Sequence, residues 1–170
     1  MPALGVVTLE SGFIAGPQDV FAEVFTHELG HILGFGTLWS ARGLTTSASG
    51  GRVFFVGAHA TAELVRVGGA AYSTGVLVSA DGGHWNAAVM SDDLMTPSTG
   101  SPDWSLSTVT LASLTDLGFT IDLSKGDGFA IGGQPAGAFL SPSGSLQIPI
   151  RNTTSGSRKI SFAGDAKIYP

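Results

Sequence analysis

No cysteine occurs among the 170 residues. Disulfides and cysteine-ligated zinc are therefore excluded, and so is a small disulfide-framed extracellular scaffold. Charge is also scarce: 12% of residues are Asp, Glu, Lys or Arg, against roughly 25% in an ordinary soluble domain. Cations are the scarcer sign, with 8 Lys and Arg against 13 Asp and Glu, for a net charge of −5. That balance, with no basic patch, excludes the electrostatic footprint of a nucleic-acid binder. No apolar run is long enough to span a bilayer. The opening "MPALGVVTLESG" has no basic segment before an apolar stretch, so no signal peptide is visible in the chain, and export would need a further segment. Internal repeats are absent. What the chain does have is 43% hydrophobic residues, enough for a sizeable core in one domain with an extension.

The informative stretch is "THELGHILG", residues 26–34. On a helix, positions four apart share a face, so His27 and His31 point the same way and can share one metal ion. Glu28 is rotated by about 100° from His27, which places its carboxylate beside a metal and not on it. A water held between the two can lose a proton near neutral pH. This is the H-E-x-x-H pattern of zinc hydrolases. With four His and four Glu in the chain, independent placement yields about 0.002 such matches. The bland alternative is a buried helix with two satisfied core histidines. The flanks favour the metal: Pro17 fits a first helical turn, Asp19 complements the N-terminal dipole, and Gly34 suits a C-terminal stop. The helix between them is apolar nearly all round and so is expected to be buried. Three ionisable groups within it require partners.

Along the chain, residues 4–11 read as a strand and residues 17–33 as the motif helix. Residues 45–51 read as a loop, 52–56 as a short strand, 58–67 as a helix and 75–79 as another strand. Residues 80–103 read as irregular. Residues 105–118 predict a helix capped by Ser105 or Ser107 and stopped by Gly118, burying Val109, Ala112, Leu114 and Leu117. Residues 119–123, "FTIDL", predict a closing strand. From about residue 124 the composition becomes Gly/Ser/Pro-rich and linker-like, with small strands in "LQIPIRN" and "RKISFAG".

A catalytic zinc has three protein ligands and one open position. Of the two other histidines, His59 opens an amphipathic helix and reads as a surface or cap residue. His84, in "ADGGHWN", follows glycines that admit close backbone approach and precedes a bulky Trp85. It is the favoured third ligand. Glu63, read as a solvated helix residue, and Asp81, read as a turn residue, are weaker candidates.

"HELGHILGFGTLW", then "GGHWN" about fifty residues on, then "DLMTP", resembles the leishmanolysin family of metzincin metallopeptidases. Those enzymes carry a long insertion between the motif glycine and the third histidine. The resemblance continues through "STVTLASLTDLGFTID" and covers roughly residues 4–123. It implies an α+β, metzincin-like fold: an active-site helix packed on a small twisted sheet, a long insertion between the second and third zinc ligands, and a methionine turn. It implies one catalytic Zn2+ held by His27, His31 and His84, with Glu28 as general base and later as acid to the leaving amine. Gly34 would permit the sharp turn after the helix. Met95 would form the soft wall of the methionine turn beneath the metal, with Asp92 and Asp93 as supporting turn residues.

The organisation so implied is a metallopeptidase domain over residues 1–123 and a linker with a short β extension over 124–170. Family members carry further N-terminal sequence, with most of a sheet and a backing helix. The chain therefore reads as N-terminally truncated, and by itself is expected to be marginally stable, prone to association and less active. Eukaryotic members are cysteine-rich, so the likeness is to the bacterial branch. The expected function is zinc-dependent endopeptidase action on proteins or peptides, including cell-surface or matrix proteins, at an extracellular or cell-surface location. The rival from another class is a non-catalytic, zinc-stabilised adhesive module. An intact Glu28 argues against it, because a structural zinc needs no base and is normally closed by a fourth protein ligand.

Overall fold

The computed structural model of the chain describes residues 5–8, 18–68, 70–97, 104–127, 131 and 167–168. The described elements are mixed helix and antiparallel sheet, an α+β arrangement. The motif helix, α1, spans Gln18–Ile32. Its C-terminus closes as a Schellman motif: Phe35 N–H donates to Gly30 O (3.0 Å) and Gly34 N–H to His31 O (3.1 Å). Gly34 has φ +110°, a left-handed conformation that favours glycine. Pro17 lies outside the described residues.

The long connection from α1 to His84 holds most of the described sheet. β2 (Thr45–Ser47), β3 (Val53–Phe55) and β4 (Val76–Leu77) form an antiparallel sheet in the order β2-β3-β4. Thr45 faces Phe55 and Ser47 faces Val53, while Phe54 faces Leu77. α2 (Ala58–Gly68) follows β3, and α3 (Ala87–Met90) follows His84. α4 (Thr108–Asp116) is capped by Ser107, whose Oγ accepts from Thr110 N–H at 3.1 Å. It ends in a second Schellman motif, with Phe119 N–H on Leu114 O and Gly118 at φ +99°. Asp116, the last residue of α4, accepts from the backbone N–H groups of His59 and Ala60, both at 2.9 Å. One helix end thus caps the start of another, satisfying donors that α2 cannot bond internally. Near the termini, β1 (Gly5–Val6) pairs antiparallel with β5 (Lys167–Ile168), and Gly5 lies against Ile32 at the end of α1.

The core centres on four fully buried rings, Phe35, Trp39, Phe55 and Trp85. Trp39 and Trp85 stack at 4.6 Å between centroids, Phe35 meets both at 4.5 and 4.8 Å, and Phe55 meets Trp39 at 5.0 Å. His31 touches the edge of this layer through Phe35. The residues just after α1, the sheet and the residue after His84 therefore share one rigid block. Truncating a buried aromatic typically costs roughly 3–5 kcal/mol, so the block is a firm backing for the site.

Several expectations are corrected. α1 is not buried all round: Phe25, Leu29 and Leu33 are 37–39% exposed along one face, while Val24, His27, Glu28 and His31 are buried on the other. The supposed loop at 45–51 begins with β2, because Thr45 and Thr46 find a partner strand in β3; only its end is a turn, with Gly50 and Gly51 at positive φ. The irregular 80–103 segment contains α3, whose Asn86 cap accepts from Ala88 N–H; one turn is too short to show periodicity. The closing strand at 119–123 does not form among the described residues. Asp122 instead accepts from Ser124 N–H and Oγ and starts a 3-10 turn at Leu123–Lys125. Of the strand at 4–11, Gly5–Val6 is strand, residues 7–8 are irregular, and the rest lies outside the described residues. The same holds for the strands expected in "LQIPIRN" and "RKISFAG". Helix α4 buries Thr110, Leu111 and Ser113 in addition to its expected stripe. No helix among the described residues is long and apolar enough to cross a membrane.

Candidate metal centre

The structure brings His27, His31 and His84 together and leaves His59 exposed at the start of α2. α1 supplies the first two, one turn apart. His84 arrives on a tight hairpin: Val78 bridges Trp85, Ser79 N–H donates to His84 O, and Gly82 N–H closes the turn on Ser79 O. The three Nε2 atoms converge at mutual distances of 3.0, 3.1 and 3.2 Å.

What lies on the other side of each ring decides what these contacts are. His27 Nδ1 faces Leu94 O at 2.6 Å, His31 Nδ1 faces Phe35 O at 3.0 Å, and His84 Nδ1 faces an Asp81 carboxylate oxygen at 3.0 Å. All three are acceptors, so each Nδ1 must carry the proton, and each Nε2 of a neutral ring is then an acceptor. Burial, and then the neighbouring His31, push the His27 pKa down to about 3. Burial pushes His31 down to about 4. These two rings are therefore neutral at physiological pH. The lone pairs of His27 and His31, directed at the point that His84 Nε2 also faces, cannot hydrogen-bond to each other. A cation between them removes the conflict. Two Zn–N bonds of ~2.0–2.1 Å at a tetrahedral angle set nitrogens roughly 3.3–3.4 Å apart, close to the observed spacing. The donor set fits a zinc ion with three nitrogen ligands.

No family model, curated protein or solved structure matches the chain. The chemistry of the centre is accordingly read from its own geometry.

Glu28 is buried on α1 beside His27, and its carboxylate has no hydrogen-bond or ion-pair partner among the described residues. Burial raises its pKa, making it a stronger base than an exposed glutamate. Met95 is buried against α1: a Cβ on Gly30 would come within 2.8 Å of Met95 Sδ. Met95 O also accepts from Trp85 N–H at 3.0 Å, so the turn beneath the helix touches the residue after His84. Asp92 is half-buried, and its carbonyl accepts from Ser105 N–H.

Glu63 departs from expectation, and Asp81, a turn residue as expected, does more than turn the chain. Glu63 is buried, not solvated, and pairs with Arg66 on its own helix through Nε contacts of 2.8 and 2.9 Å. Asp81 is not a ligand: it accepts from Gly83 N–H (2.8 Å) and Ser79 Oγ (3.1 Å) and orients His84. A carboxylate on the outer nitrogen of a metal-binding histidine fixes its tautomer and ring direction.

The sequence reading missed Gly30 and Gly36. A mid-helix glycine between two ligand histidines was the available clue to Gly30. Gly36 has φ +70°, and a Cβ there would run into the backbone carbonyl of Gly83. The hairpin turn that carries His84 thus crosses the turn after α1 at van der Waals distance. Gly50 has φ +74° and open space around it. Both Gly→Ala changes incur left-handed strain, but only Gly36→Ala adds a backbone clash. Gly36→Ala is expected to cost roughly 1–3 kcal/mol more than Gly50→Ala and to weaken zinc binding with it. Urea midpoints of both variants, without zinc, check this; equal costs would mean that the Gly36–Gly83 crossing does not constrain the loop.

Proposed function

We propose that the chain is the zinc-binding part of a metzincin-like, leishmanolysin-like metalloendopeptidase. The observation that carries this reading is the convergence of three imidazole nitrogens, two of them on a helix that also carries a buried Glu28 with no hydrogen-bond or ion-pair partner among the described residues. Three protein ligands leave one position open, as catalytic zinc sites do. Bound zinc supplies a Lewis acid that polarises a carbonyl and makes water acidic near neutral pH. Glu28 takes the proton from the attacking water and later delivers it to the leaving amine. The outward acceptors on all three histidines hold the rings in one tautomer, so the site needs no rearrangement to receive metal. Met95 fills the space under the histidines with a soft side chain. Protein or peptide segments are the substrates of this reading, and surface or matrix proteins of an extracellular setting are its natural targets.

Digestion of casein or gelatin tests it. Hydrolysis should disappear with a zinc chelator and return on adding zinc. Digestion indifferent to chelator, or none by folded protein carrying one zinc per chain, would overturn the endopeptidase reading; the second result would favour the adhesive module.

A further inference from the structure

Asp93 has no contact with the three histidines, yet it is fully buried in a chain with few charges. A buried carboxylate survives only if its oxygens are bonded. Asp93 accepts from Met95 N–H at 2.7 Å, from Thr110 Oγ1 at 2.8 and 2.9 Å to its two oxygens, and from Ser107 N–H at 3.3 Å. Thr110 Oγ1 in turn accepts the indole N–H of Trp85 at 2.7 Å. Trp85 follows His84, and Leu94, which follows Asp93, offers its carbonyl to His27 Nδ1. The contacts form a closed circuit: His84, Trp85, Thr110, Asp93, Leu94, His27. Trp85 N–H on Met95 O ties its two arms directly.

We propose that Asp93 is a positioning residue that sets the separation of the first and third metal ligands, through Thr110 and Trp85 on one arm and the Leu94–Met95 turn on the other. The inference rests on the metal-centre reading. Three details support it. The Thr110 hydroxyl has one proton and donates it to Asp93, which leaves its lone pairs for Trp85; the polarity of the chain is therefore unique. Trp85, Thr110, Asp93, Leu94 and His27 are buried, so no water substitutes when one of their contacts is lost. And α4, which carries Thr110, is anchored independently by Val109, Ala112 and Leu114 in the core, so it gives the circuit a fixed point.

The test uses cobalt(II) as probe, since its visible absorption reports ligand geometry, together with zinc affinity by chelator competition. Thr110→Val keeps the shape and removes the hydroxyl; Thr110→Ser restores it. With the fold confirmed by far-UV circular dichroism, Thr110→Val is expected to lower zinc affinity by about 10-fold, the low end of the effect of losing an outer partner of a metal ligand, because Thr110 stands one contact further out, and to shift the cobalt band. Thr110→Ser should return both. If Thr110→Val does not fold, Trp85→Phe, which removes the indole N–H together with the five-membered ring that carries it, is judged by the same two readouts. A folded variant with wild-type affinity and band overturns the proposal, as does lost affinity with an unchanged band, which would make the network merely stabilising. If the unmodified chain binds neither metal, the metal-centre reading itself falls, and this inference with it.

Discussion

Glu28→Gln should keep its zinc and lose peptide hydrolysis by on the order of 10²–10⁴. The amide matches the carboxylate in shape, so packing on α1 is preserved. Glu28 is not among the converging ligands, so affinity for zinc is expected to stay within a few-fold of the parent. What the amide cannot do is accept a proton. Burial raises the Glu28 pKa, bringing it closer to the working pH, where a general base is most effective. The sign on the pH profile follows. The base must be ionised, so activity rises as pH climbs through the Glu28 pKa. Parallel zinc titration and casein digestion of the two proteins separate the roles. A variant that still digests at the parental rate would remove Glu28 from the mechanism, while one that loses its zinc would make Glu28 a ligand.

His84→Ala should abolish tight zinc binding, while His59→Ala should leave it unchanged. The two histidines were the candidates for third ligand, and the fold separates them. His84 Nε2 lies 3.1–3.2 Å from both motif nitrogens, whereas His59 is exposed with its backbone N–H on Asp116. Losing a direct ligand should cost more than the 10–100-fold typical of an outer partner. Thermal unfolding gives a second readout. A ligand that binds only the folded state at 100 times its Kd stabilises by roughly 2.7 kcal/mol, so zinc should raise the melting temperature of the parent and of His59→Ala but not of His84→Ala. A zinc-induced shift that survives in His84→Ala and vanishes in His59→Ala would reverse the assignment.

Local patterns in the sequence determined a good deal. The i, i+4 spacing of His27 and His31 requires only a helix, and Gly34 and Gly118 end their helices because left-handed backbone suits glycine wherever it occurs. Ser107 caps α4 through the N–H of Thr110, three residues away. Such features depend on neighbours in the chain and are visible there. The third ligand could be narrowed to His84 by its glycines, but its direction could not be read, because Asp81 turns the ring only after the hairpin has folded. Tertiary structure alone decided the rest. Gly36 is required by the backbone of Gly83, and Gly30 lies against the sulfur of Met95. His27 is held by the carbonyl of Leu94, 67 residues on, and Asp93 is buried because Thr110, 17 residues on, supplies a hydroxyl. The apolar α1 kept one face exposed, and "FTIDL" found no partner strand among the described residues. Hydrophobicity states a preference for burial, and β-propensity a preference for extension, but whether either is met depends on which surface arrives from elsewhere in the chain. That arrival is a matter of packing and hydrogen-bond partners distant in sequence, which no local period encodes.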